Sequence, residues 1–144
     1  MKKTQLITSA LLLFIVSYSC KKSNDAPSNA RTVENFSGLY NYTGLTYSSG
    51  GQTINFFDSL DACEKDNMLK FNTNLTYNFI DTGVVCAPPE GGSGTWALSS
   101  KGDSLILDSD PAYIKSWDGK TLVVTATVQT APILITATTT LVKK

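Results

Sequence analysis

The chain has 144 residues, 12 of them Lys or Arg and 12 Asp or Glu, and it contains no histidine. That length supports one hydrophobic core; the balanced charge, with no basic stripe, argues against a nucleic-acid partner; and the missing imidazole removes a Ser-His-Asp triad, a Cys-His pair and most metal sites. Charged residues are only 17% of the chain, and Thr, Ser, Asn and Gly fill the polar positions, as they do in extracytoplasmic β proteins.

The N-terminus reads as a leader. Lys2 and Lys3 supply a positive start, residues 6–16 an apolar stretch, and Ser17-Tyr18-Ser19-Cys20 a small-residue end. The apolar run falls short of the ~20 residues that span a bilayer. Cys20 stands where a lipoprotein signal peptidase would cut, after the small Ser19. Ser17 and Tyr18 depart from the commoner pattern, and an ordinary leader with an incidental cysteine is the alternative. The reading predicts removal of residues 1–19 and acylation of Cys20 (palmitate among the chains), each buried methylene adding about 0.8 kcal/mol of membrane affinity. Lys21 and Lys22 then lie near anionic headgroups. Lys-Lys-Ser-Asn-Asp lacks an acidic export run, so the expected address is a bacterial outer membrane, on its periplasmic face. Residues 20–34 are polar, hold Pro27 and read as a flexible tether. Residues 35–144 read as the folded domain.

That domain reads as short strands separated by turn residues. Residues 38–47 alternate in part, and Gly50-Gly51 ends them. Residues 53–60 fit either a strand or a short lid helix. Residues 64–71 and 75–80 form a predicted hairpin around Asn72-Thr73-Asn74, with Leu69, Phe71, Leu75, Tyr77 and Phe79 on alternate positions. Pro88, Pro89 and Gly91-Gly92-Ser93-Gly94 read as a flexible connection. Strands follow at 95–99 and 104–107, turned by Lys101-Gly102-Asp103, then at 112–117 and 121–129, joined by Asp118-Gly119, a strong hairpin signal. Ala131-Pro132 leads into a last strand at 133–142. Leu122, Val124, Ala126 and Val128 share one face of their strand; Ile133, Ile135, Ala137, Thr139 and Leu141 share one face of the next. This period of two marks half-buried antiparallel strands.

Sequential strands linked mostly by tight turns predict an all-β chain, a single antiparallel up-and-down β-barrel of about eight strands, which removes sheet edges. A sandwich is the alternative, though a Greek key needs long crossovers. With Cys20 taken by lipid, Cys63 and Cys86 remain as one pair in an oxidising compartment, where a disulfide is expected; two free thiols are the alternative. Facing Phe71 with Leu75 across the hairpin puts Cys63 opposite residue 83, three positions short of Cys86. A bond between them would close a loop of about 24 residues, worth roughly 3 kcal/mol by chain entropy.

Cys63-Glu64-Lys65-Asp66-Asn67, Leu69-Lys70-Phe71-Asn72, Leu75-Thr76-Tyr77, Cys86, Gly94-Thr95-Trp96-Ala97-Leu98 and Asp103-Ser104-Leu105-Ile106-Leu107 occur in that order. In this the chain resembles the bacterial lipocalin-like lipoproteins over roughly residues 36–144. Members typically carry a lipobox, a Cys-Glu-Lys-Asp segment before a Phe-Asn turn, a second cysteine and a Gly-Thr-Trp strand. Where they usually place glycine in that turn, this chain has Asn74-Leu75. The resemblance implies a lipocalin-like barrel and a Cys63–Cys86 disulfide; it implies no particular ligand.

Candidate chemistry is sparse. Asp58, Asp61, Glu64 and Asp66 cluster in sequence, as do Asp108 and Asp110, and they read as solvated or capping carboxylates; their spacing does not match a calcium loop. Gly91-Gly92-Ser93-Gly94 lacks the Lys-Ser/Thr of a phosphate loop. No cofactor or metal is implied, and no enzymatic constellation emerges. Inward aromatic side chains either fill such a barrel or line a ligand cavity; the candidates are Tyr40, Tyr42, Phe71, Tyr77, Trp96 and Trp117. Ser59 and Ser104, each in Asp-Ser-Leu, fit a bacterial O-glycosylation triplet. The expected protein is therefore a membrane-tethered, non-enzymatic binder of a small apolar or amphipathic molecule. The alternative is an envelope module with a filled barrel and a protein partner.

Overall fold

A computed structural model describes residues 29–130 and 133–144. The leader, Cys20 and most of the expected tether, and the Ala131-Pro132 turn, lie outside the described residues. Nine antiparallel strands follow one another: β1 (Gly38–Ser49), β2 (Gln52–Asn55), β3 (Met68–Phe71), β4 (Thr76–Ile80), β5 (Gly91–Leu98), β6 (Ser104–Leu107), β7 (Asp110–Trp117), β8 (Thr121–Thr130) and β9 (Ile133–Lys143). Each of β3 to β8 pairs with the next, and β1 pairs with both β3 and β9, closing an eight-stranded up-and-down barrel as the sequence predicts. β2 is the additional strand. It pairs only with the far half of β1, through Thr46–Asn55 to Ser49–Gln52.

The period of two explains which residues face inward. On β8 and β9, Leu122 pairs with Leu141, Val124 with Thr139, Ala126 with Ala137 and Val128 with Ile135, so the two predicted apolar faces coincide. β1 alternates only in part because of a bulge. Tyr42 pairs with Leu141 and Gly44 with Thr140, leaving Thr43 unpaired. Before the bulge the inward residues are Tyr40 and Tyr42; after it they are Leu45 and Tyr47, opposite Thr139 and Ala137.

Four expected boundaries are corrected. The hairpin register places Phe71 opposite Tyr77 rather than Leu75. Asn72, Asn74 and Thr76 build a wider turn from their own side chains, with Leu75 at positive φ where a tighter turn would take glycine. The slip is two residues, so every side chain keeps its face. Glu64 and Lys65, expected in the strand, instead belong to a helical turn, α2 (Ala62–Lys65), whose Glu64 carboxylate accepts the Asp61 N–H at 2.7 Å. Gly91-Gly92-Ser93-Gly94 is the first half of β5, since ladder hydrogen bonds need only backbone. Residues 53–60 divide between β2 and a short helical turn, Phe57–Ser59.

The end of the expected tether is also ordered. Residues 33–36 form α1 (Val33–Phe36), capped by the Thr32 hydroxyl. Arg31 donates to the Gly102 carbonyl at 3.0 Å and Lys143 to the Asn35 carbonyl at 2.8 Å. Phe36 thereby plugs one end of the barrel. Its ring lies 4.7 Å from that of Trp117, and Tyr40, Phe71 and Trp96 continue the contact at 6.4, 5.5 and 5.1 Å in turn. Leu69, Leu105, Ile114, Leu122 and Leu141 complete a filled core.

Candidate functional site

The end opposite α1 is built differently. There Cys63 on α2 is bonded to Cys86, with Cα atoms 5.2 Å apart. The Cys86 loop is shaped by two carboxylates that accept backbone N–H groups. Asp66 takes Val84 at 2.8 Å; Asp81 takes Cys86 at 3.3 Å and Glu90 at 2.8 Å. Gly83 is left-handed and packs on Asp66 so closely that a Cβ would collide with the carboxylate. Together these contacts bring Glu90 against Asn67, just before β3.

A cleft of about 180 Å³ results, lined by Tyr42, Leu45, Leu60, Glu64, Asn67, Phe79 and Glu90. Its floor is apolar and aromatic: Tyr42 and Phe79 meet edge to face at 6.1 Å, and burial pushes the Tyr42 phenol up. Its polar wall holds acceptors. Asn67 is 1% exposed, and its Nδ2 donates to Glu90 Oε2 at 3.0 Å. The amide Oδ1 is buried with no hydrogen-bond partner. Lys65, beside Glu64, turns away: its Nζ donates to the Asp58 carbonyl at 3.0 Å and sits 6.0 Å from the Phe57 ring centre.

Of the six aromatic candidates, Tyr42 lines this cleft. Tyr40, Phe71, Trp96 and Trp117 are buried in the filled end, in ring contact with one another. There Tyr40 donates to the Phe36 carbonyl at 2.8 Å and Trp96 to the Asn72 carbonyl at 2.9 Å, while burial raises the Tyr40 phenol. Tyr77 reaches across β5 to Asp108, at 2.6 Å, over Gly94, where any side chain would collide with that carboxylate. The Tyr77 hydroxyl, with the Thr95 N–H, holds Asp108 below the usual carboxylate range, and the same bond raises Tyr77.

Ser59 is exposed on its helical turn, whereas the Ser104 hydroxyl donates to Asp103 at 3.1 Å. Asp58 accepts from Asn55 at 2.8 Å. Among the described residues no three acidic or cysteine side chains are placed to hold a metal ion. Leu45, Leu60, Asn67, Phe79 and Glu90 escaped sequence reasoning as site residues; only the alternation of Phe79 with Tyr77 hinted at a shared face. No protein-family model, curated protein or solved structure matches the chain.

Proposed function

We propose that the protein is a membrane-tethered, non-enzymatic binding protein of the lipocalin-like kind, holding a small amphipathic molecule at the open end of its barrel. One observation carries this reading: the cleft between β1, β4 and the disulfide-linked segments joins an apolar floor to a buried, unpaired acceptor. Binding sites share that composition, apolar walls with a few placed polar groups. The filled lower barrel makes this a shallow site rather than a deep calyx. The tether rests on the leader and on Cys20, which fit a lipoprotein; Cys20→Ser is expected to move the protein out of the membrane fraction and to abolish palmitate incorporation.

A second reading has its own support. Ile54, Val128, Ile133 and Leu134 are between 47% and 59% exposed, and β2 and the far ends of β8 and β9 carry them at the open end. Exposed apolar surface of this kind suits a protein partner. Native mass spectrometry of the protein from its own host separates the two. A bound molecule of low mass supports the binder; a bound protein and no small molecule supports the module.

A further inference from the structure

The cleft has a chemical polarity, and we propose that it takes a small organic cation: a primary ammonium on a short apolar or aromatic body. This rests on the binding-protein reading above and names its ligand class.

The orientation of Asn67 fixes what is missing. A carboxylate only accepts, so the amide must turn its Nδ2 towards Glu90. That leaves Oδ1 as the unmatched atom, buried on a side chain that is 1% exposed and lines the cleft. A buried acceptor without a partner is rare in native proteins and calls for a donor. A carboxylate or phosphate ligand would add acceptors where acceptors already stand unpaired. An N–H or O–H would satisfy the amide. Charge then decides between them. Glu64 and Glu90 line the same cleft, and Lys65 is turned towards Asp58 and Phe57, so the wall favours a positive donor over a neutral one. The Tyr42 and Phe79 rings suit both the apolar body and the cation.

Size narrows the class. The volume of about 180 Å³ equals roughly six water molecules in the liquid. Pockets for drug-sized ligands measure about 300–1,000 Å³, so this cleft would not enclose a fatty acid or a sterol, whereas a ligand about the size of a short aralkyl amine would be held.

The test is calorimetric titration of the purified protein with three probes that share a benzyl group: 2-phenylethylammonium, 2-phenylethanol and phenylacetate. The expected order is ammonium at least tenfold tighter than alcohol, with phenylacetate weakest. Added salt should weaken the ammonium and leave the alcohol unchanged. Combining Glu64→Gln with Glu90→Gln keeps acceptors for the Asp61 N–H and for Asn67 Nδ2, so it removes charge without removing either bond. It should lower ammonium affinity to that of the alcohol. The wild-type probe order and salt dependence test the idea even if the variant misfolds. Alcohol binding as tightly as ammonium overturns the cation inference and leaves the binding-site reading standing. Binding of none of the three overturns both, with solvent then serving Asn67.

Discussion

Replacing Phe36 with alanine is expected to destabilise the protein by about 4 kcal/mol. The ring is 0% exposed and packs 4.7 Å from Trp117. Phe-to-Ala changes at such sites cost about 3–5 kcal/mol, from lost transfer energy and the cavity left behind. The middle of that range applies, because a closed ladder of strands cannot collapse into the space but one wall of the site can move. The movable wall is α1 itself. Beside Phe36 and the partly buried Val33, the Tyr40–Phe36, Arg31–Gly102 and Lys143–Asn35 bonds help to hold that segment. Each contributes about 1 kcal/mol, against about 1–2 kcal/mol per residue to keep backbone ordered. Truncation should therefore release residues 30–36 as well as weaken the core. With a urea dependence of about 2 kcal/mol per molar, the unfolding midpoint should fall by about 2 M. Tryptophan emission should shift to the red, and a protease should cut between residues 30 and 36. Phe36→Leu should lose only about 1–2 kcal/mol and keep the segment protected. A midpoint within about 0.5 M of wild type, with α1 still protected, would refute the plug argument.

Replacing both Cys63 and Cys86 with alanine should cost about 3 kcal/mol, since the bond spans 23 positions; chemical unfolding of the double variant measures it, and a loss under 1 kcal/mol would contradict the entropic account. Asp108 is held below the usual carboxylate range, chiefly by the Tyr77 hydroxyl. A depressed folded-state value gives stability that is present above the unfolded value near 4 and is lost as pH falls through the folded one. Stability should thus decline on acidification below about pH 4, and Asp108→Asn should flatten that decline; urea melts between about pH 2 and 5 showing parallel acid limbs would count against it. Asp108 and Ser109 both have positive φ at the β6–β7 turn, where glycine is favoured second. Ser109→Gly should raise stability by about 0.5 kcal/mol, read as a higher melting temperature.

The long strands were legible because their alternation runs far enough to outweigh chance: β8 and β9 show it over ten residues or more. Shorter pieces were harder. The β6–β7 hairpin hid because Asp108-Ser109 lacks the glycine that usually announces a mirror-image turn. Half of β5 was mistaken for a loop because glycine carries no side chain to alternate, although its backbone pairs normally with β4. The filled end and the cleft drew on the same residue types, so Tyr40 in the core and Tyr42 at the cleft looked equivalent two positions apart. Glu90 and Asn67 meet only through Asp66, Asp81 and the disulfide, a placement that no local pattern encodes.

The unpaired Thr43 has a wider consequence. One surplus residue resets the inside–outside phase of β1 halfway along its length, while β8 and β9 run through without a shift. Below Thr43 the inward residues are Tyr40, which packs in the core, and Tyr42, which lines the cleft. Above it the phase serves the opening, and Leu45 and Tyr47 can vary without disturbing Tyr40 or Trp117. Deleting Thr43 would leave a regular ladder with Gly44 still opposite Thr140 and Leu45 opposite Thr139, so Leu45 and Tyr47 would keep their inward faces and only the kink would go. The bulge therefore seats even-numbered Tyr40 and Tyr42 and odd-numbered Leu45 and Tyr47 on one inward face of a single strand, which strict alternation would have divided between inside and outside.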